Sequence, residues 1–322
     1  MTSTLLALAA LGAGLVLLEI GADRFTDAVA ALARRLRASE HAVGLLTAGG
    51  EWEELVVVLL AIFSGHPGLA VGNVVGSCLA NLIGSMPLGF LGPRPLVPDR
   101  SARVYAVAML LVTLLAAAFL IDGRIGPAEG GALVGVFAIY VASVLLVIGR
   151  GWLRPLEGDE DDAEEADAAA GGLSRLIGVL VLGLVAIGIG AELVVLGAVD
   201  LAGRLGLSDY AIGATVVAVG TTLPDKAISF VGGRRGQGGV VTANATGSNI
   251  FVLTLVLGLA AVFAGQGLVV DPTTVRVDLP LLVAASLAVV LLFRRPGLHR
   301  GTGAVLLALY VAYVAYALAR GA

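Results

Sequence analysis

Two short segments hold the side chains with most capacity for chemistry: Gly49-Gly50-Glu51-Trp52-Glu53-Glu54-Leu55 and Gly220-Thr221-Thr222-Leu223-Pro224-Asp225-Lys226. Both lie inside long apolar runs. An ionised side chain at the centre of a bilayer costs about 2.5–3.5 kcal/mol or more, so acids placed there are candidates for function. Glu54 lies 23 residues before Ser77, and Asp225 lies 23 residues before Ser248. Aligned on that spacing, two carboxylates from separate parts of the chain meet near one plane, ringed by hydroxyls and amides. Such a hard oxygen site suits Ca²⁺, which takes about six to eight oxygen ligands.

Composition dictates the elements that must position these groups. The 322 residues are 58% hydrophobic and 14% charged, with mean hydropathy +0.98. Soluble domains run near 45–50% apolar and about 25% charged, so the partner of this surface is a lipid bilayer. The formal charge of −4 arises from Glu157, Asp159, Glu160, Asp161, Asp162, Glu164, Glu165 and Asp167. The rest is mildly basic, with no sign of nucleic-acid binding. The single cysteine, Cys78, excludes an internal disulfide and a Cys-based zinc cluster. His41, His66 and His299 lie far apart, with no HExxH to form a helical zinc site.

A crossing helix needs roughly 20 apolar residues. Ten candidates lie near 4–30, 41–63, 69–92, 102–121, 128–149, 173–200, 210–231, 239–265, 277–293 and 301–319. The first lacks the basic start of a signal peptide and is expected to be a retained span. Arginines set the direction. With the N-terminus outside, the inner loops hold 14 arginines and the outer segments hold only Arg124, Arg204, Arg276 and Arg320. Both termini are then outside, and the acidic loop 151–172 is cytoplasmic.

Five spans precede that loop and five follow it, so the second half lies inverted relative to the first. The expected division is 1–150, 151–172 and 173–322. Internal similarity supports a duplication: Ile20-Gly21-Ala22-Asp23 matches Ile189-Gly190-Ala191-Glu192, and His41-Ala42-Val43-Gly44 matches Tyr210-Ala211-Ile212-Gly213. Gly72-Asn73-Val74-Val75-Gly76-Ser77 likewise matches Ala243-Asn244-Ala245-Thr246-Gly247-Ser248. Inverted repeats mark secondary transporters, whose ion sites lie at the repeat interface. Pro224 lacks an N–H and should open its helix, freeing carbonyls near Val219–Thr221 to face an ion. Gly49-Gly50 could do the same in the first half. Gly72, Gly76 and Gly247 should let neighbouring helices approach closely.

These segments resemble the cation/Ca²⁺ exchanger superfamily, which includes the Na⁺/Ca²⁺ exchangers. That family carries two inverted alpha-repeats, each with a Gly-Thr-Ser-x-Pro-Glu/Asp element and a Gly-Asn-x-x-Gly-Ser-Asn-x-x-Asn/Asp element. The second repeat here reads GTTLPD (220–225) and ANATGSNIFV (243–252); the divergent first reads GGEWEE (49–54) and GNVVGSCLAN (72–81). The resemblance implies an all-α polytopic membrane protein of ten transmembrane helices in two inverted five-helix repeats. It also implies Glu54 and Asp225 as central Ca²⁺ ligands, with Ser77, Ser248, Asn81, Thr221 and Thr222 adding Ca²⁺ or Na⁺ contacts. Asn73 and Asn244 become helix-bracing or site-lining amides. In that family the first and sixth helices slide to alternate access, which would make Glu19, Asp23, Arg24 and Asp27 vestibule residues; an intrahelical pair with Arg24 is the plainer reading.

The departures bear on coupling. Gly50 and Glu51 replace two hydroxyl residues, Glu53 replaces the proline, Cys78 the asparagine, and Val252 an amide or acid. Sodium sites of the family use such oxygens, and an added acid that titrates would favour proton coupling instead. Glu51 shares a helical face with Glu54 and joins the candidate site, whereas Glu53 points elsewhere, to a snorkelling or pore-lining role. The acidic run reads as a solvated linker, and His66 and Cys78 as incidental. The function expected is a secondary antiporter exporting Ca²⁺ against Na⁺ or H⁺, with no covalent catalysis and no organic cofactor. Another proton-coupled cation antiporter, a cation channel or non-transporting relative, and a membrane-embedded enzyme are the alternatives. No nucleophile–base pair or metal cluster supports the last.

Overall fold

The computed structural model describes residues 2–35, 50–149 and 173–321. Helices dominate throughout: α1 (Thr2–Arg35), α2 (Trp52–Phe63), α3 (Pro67–Leu79), α4 (Arg100–Leu120), α5 (Pro127–Gly149) and α6 (Leu173–Leu205) form the first six. The remainder are α7 (Asp209–Ile212), α8 (Ala218–Thr221), α9 (Leu223–Arg235), α10 (Gly238–Phe251), α11 (Leu257–Phe263), α12 (Leu279–Leu292) and α13 (Arg300–Gly321). π-helical turns at Ala80–Ser85, Gly213–Val217, Val252–Val256 and Thr274–Asp278 extend or join several of these. His41, Gly49, the loop 151–172 and its acidic run lie outside the described residues.

Among the described residues, seven helices have the length and apolarity to cross a bilayer. The other three expected crossings are α2, α5, and the path through α7, α8 and α9. Pro224 interrupts that path: Thr222 takes φ −86° and ψ 15° between α8 and α9. The sequence places this break because proline cannot donate to the turn before it.

The connections sort to two ends. At one, Leu96 and Leu298 exchange backbone hydrogen bonds, Arg103 donates to the Phe293 carbonyl and Arg300 to that of Gly92. At the other, strands β1 (Arg124–Ile125) and β2 (Leu268–Val269) pair antiparallel, Ser208 N–H donates to the Gly321 carbonyl, and Phe63 meets Phe263. His66 Nδ1 lies 2.8 Å from Asp209 Oδ2 at this second end, so the histidine links the starts of α3 and α7. Among the described residues, the loops alternate between these two ends, as ten crossings require. Arg94, Arg100, Arg294, Arg295 and Arg300 lie at the first end, while Arg124 and Arg204 lie at the second.

Burial shows which helices form the centre. The α3 and α10 crossings are 89% and 78% buried, against 28–39% for the other five long crossings. Gly76 makes this density possible: a Cβ there would fall 2.6 Å from Ala214 Cα. Outside the centre, α1 and α6 run antiparallel as a two-helix ribbon. A Cβ on Gly14 would come 2.8 Å from the Gly190 carbonyl oxygen, so small residues set that approach. The outward faces of the ribbon carry Leu5, Leu6, Val16, Leu182 and Val185, all exposed, as contact with lipid demands. At 34 and 33 residues and about 1.5 Å per residue, each outruns a hydrocarbon core of roughly 30 Å and must tilt to stay in it.

Candidate functional site

Glu54 sits in the first turn of α2 with no exposed surface. A buried carboxylate needs donors for its lone pairs, and three side chains supply them. Ser77 Oγ and Thr221 Oγ1 both donate to Oε1 at 2.6 Å, and Asn73 Nδ2 donates to Oε2. Ser77 and Asn73 are one turn apart on α3. Thr221 comes from α8, the last residue before the break, so this hydroxyl ties the second half of the chain to the acid of the first.

Asp225, in the first turn of α9, is 5% exposed and accepts from Asn244 Nδ2 at 2.6 Å. The two carboxylate–asparagine bonds span the same sequence separation: 19 residues from Glu54 to Asn73 and 19 from Asp225 to Asn244. The repeat inferred from the 23-residue spacing is therefore present in the geometry. Symmetry is incomplete at the serines. Ser77 bonds Glu54, while Ser248 Oγ lies beside Glu51 without a hydrogen bond of good geometry.

Glu51 occupies the position just before α2 without a side-chain capping bond and is 4% exposed. It lines one cavity together with Glu53 and Asp225, so it belongs to the same acidic group. Asn81, in the π-helical turn that follows α3, is fully buried with both amide atoms unpaired. Thr222 stands apart: its hydroxyl donates to the Ala218 carbonyl at 2.6 Å and faces Lys226 rather than the carboxylates. The expected exposure of carbonyls at the break needs the same correction, since the Val219 oxygen is taken by the Lys226 ammonium at 3.3 Å.

A cavity of about 200 Å³ lies against the acids. Glu51, Glu53, Thr221, Asp225 and Asn244 line it on one side, and Glu19, Asp23 and Asp27 of α1 on the other. Because α1 runs antiparallel to α6, Asp27 lies toward the arginine-rich end, and the cavity leads from the acids in that direction. Glu53 thus lines the same cavity as Glu51. Glu54 is turned to Ser77, Asn73 and Thr221 and does not line it, so the face expected to be shared by Glu51 and Glu54 is not the one that faces the cavity. The vestibule role raised for Glu19, Asp23 and Asp27 agrees with this lining; Arg24 is not part of it.

Asn249 was missed from sequence. It is buried, donates through Nδ2 to the Cys78 carbonyl at 3.1 Å, and leaves Oδ1 unpaired. The Gly-Ser-Asn run at 247–249 was the signal available. Cys78 is its counterpart in the first half, so the bond joins equivalent positions across the repeat and makes that backbone part of the interface. No three acidic, histidine or cysteine side chains among the described residues converge as a single cage. The cluster instead combines carboxylates with neutral oxygens, and unpaired buried oxygens remain at Asn73 Oδ1, Asn81 Oδ1, Ser248 Oγ and Asn249 Oδ1.

The family model described as "Sodium/calcium exchanger protein" matches residues 6–146 and 175–319, both halves around the acidic loop. The chain belongs to the sodium/calcium exchanger family. CaxA of Alkalimonas amylolytica is 33% identical over 312 residues, covering 93% of this chain and 95% of its own. The sodium/calcium exchanger MaX1 of Methanosarcina acetivorans is 29% identical, covering 94% of this chain and 95% of its own. A solved structure of the sodium-calcium exchanger NCX_Mj, soaked with Na⁺ and Sr²⁺, is 28% identical, with TM-score 0.65 over 97% of this chain and 98% of that one. As a sodium/calcium exchanger family member, the chain is a multi-pass membrane antiporter of a family of transporters rather than enzymes.

Proposed function

We propose that this exchanger moves Ca²⁺ outward in exchange for Na⁺ or H⁺ by alternating access, through a site centred on Glu54 and Asp225. The observation that carries the reading is the Thr221–Glu54 hydrogen bond. It brings the broken helix of the second repeat, with Asp225 one turn away, onto the acid of the first. Glu51, Ser77, Ser248, Asn81, Asn73, Asn244 and Thr221 supply further oxygens or brace them, and Thr222 acts through the helix break. Two carboxylates neutralise one divalent ion, or take monovalent cations or protons in its place. Emptied, they leave uncompensated charge in a low dielectric, a state that resists crossing between conformations. Only a loaded site moves, and that enforces exchange.

In this reading residues 1–150 and 173–322 are the inverted repeats, with both termini outside and the acidic loop 151–172 in the cytoplasm. The cavity beside Glu51 and Asp225 then faces inward. The test is ⁴⁵Ca²⁺ uptake into proteoliposomes under an imposed Na⁺ or H⁺ gradient, with Glu54→Gln and Asp225→Asn as controls. Gradient-driven uptake that either substitution abolishes is expected. Absence of Ca²⁺ flux under both gradients, or flux indifferent to both substitutions, would refute the proposal.

A further inference from the structure

Among the described residues, Lys226 is the basic side chain that acts on the Glu54 and Asp225 carboxylates, and the antiport mechanism above makes no use of it. Its side chain turns back along the break, and its ammonium meets three oxygens: the Val219 carbonyl at 3.3 Å, the Thr222 carbonyl at 3.2 Å, and the Thr222 hydroxyl. An ammonium has three protons and no acceptor, so this nest satisfies it completely. The Thr222 hydroxyl can accept from it because its own proton goes to the Ala218 carbonyl. The centroid of the Tyr310 ring lies 6.0 Å from the ammonium.

Two carbonyls and a hydroxyl converging at a helix break form a hard oxygen nest of the kind that receives a small monovalent cation. The Lys226 charge acts on both Asp225 and Glu54. Spacing from the downstream serines shows where the halves differ: Glu51 stands opposite Thr222, Glu53 opposite Pro224, and Leu55 opposite Lys226. At these positions the first half carries two acids that the second lacks, and the second half one base that the first lacks.

We propose that the Lys226 ammonium is a tethered stand-in for one bound monovalent cation of about the size of Na⁺. It fills an oxygen nest at the break of the second repeat and supplies a fixed positive charge to the carboxylates. Resting on the exchanger reading above, the consequence is that this protein takes up one fewer mobile cation per loaded site than the same site would without the lysine.

Thermal unfolding of the full-length protein in detergent, titrated with NaCl against choline chloride at constant ionic strength, tests this without requiring transport. Lys226→Ala opens the nest and removes the charge; Lys226→Met removes the charge but leaves a chain of similar length filling the space. The slope of stabilisation against the logarithm of Na⁺ activity counts the ions bound. It should rise by about one for Lys226→Ala relative to wild type, and should not rise for Lys226→Met. If Lys226→Ala folds only when Na⁺ is present, that is the same result in stronger form. Equal destabilisation of Lys226→Ala in both salts, or its failure to fold in either, would overturn the proposal by making the ammonium a plain helix brace. So would an equal rise for Lys226→Met. The Ca²⁺ response of Glu54→Gln is read in the same assay, so failure here and failure of the exchanger reading are separable.

Discussion

Glu54→Gln isolates the charge of the carboxylate from its shape. Glu54 Oε1 accepts the Ser77 and Thr221 hydroxyls, each at 2.6 Å, and Oε2 accepts the Asn73 amide. A glutamine carbonyl placed at Oε1 keeps both hydroxyl bonds. Its NH₂ then meets the NH₂ of Asn73, and turning the Asn73 amide over presents Oδ1, which is unpaired in the structure. Every bond is restored, so the ion-free fold should change by less than about 1 kcal/mol. The bound ion experiences a different site. Removing one partner from a buried charge pair costs about 3–5 kcal/mol, and about 1.4 kcal/mol is tenfold in affinity. Ca²⁺ binding should therefore weaken by roughly two to three and a half orders of magnitude. Thermal unfolding of the purified variant, titrated with Ca²⁺, separates the two effects. The ion-free melting temperature should stay close to wild type while the Ca²⁺ midpoint moves at least about a hundredfold. A midpoint within about threefold of wild type would refute the reasoning, as would a collapse of the ion-free protein.

Further substitutions probe the frame around the site. Gly14→Leu forces a side chain into the backbone of α6 at Gly190; overpacking of this kind costs about 1–3 kcal/mol, and a lower melting temperature with impaired flux should follow. Arg320→Gln leaves the fully buried Asp278 with only the Tyr210 hydroxyl beside its Oδ2. Stranding a buried charge costs about 3 kcal/mol or more, so thermal stability should drop well before any change in Ca²⁺ affinity. Asn249→Leu removes the bond to the Cys78 carbonyl and leaves that oxygen buried, a loss of about 1–3 kcal/mol that a melting curve would register.

Much of the arrangement is legible in the sequence because the bilayer enforces simple rules. Apolar length placed the crossings, and arginines marked the end at which Leu96 meets Leu298. Pro224 announced the break because a missing N–H acts locally, whatever surrounds it. The matching spacing of Glu54 and Asp225 to their serines carried over to the asparagines at 73 and 244, since both lie on helices that the same register brings together. Other features depend on neighbours distant in sequence. The direction in which Lys226 turns is decided by oxygens that exist only after the break has formed, which is why the Val219 carbonyl was expected to face an ion. Asn249 reaches a carbonyl 171 residues away, a pairing that no local pattern encodes. The full length of α1 and α6 was hidden because polar ends let a helix extend past its apolar stretch.

The most direct measurement of the central claim is anomalous scattering from crystals of the exchanger grown with Sr²⁺ as a Ca²⁺ surrogate. A single strong peak should lie about 2.3–2.7 Å from carboxyl oxygens of both Glu54 and Asp225, and should vanish in Glu54→Gln crystals. A peak that touches only one of the two acids, or that survives the substitution at the same place, would contradict the shared site.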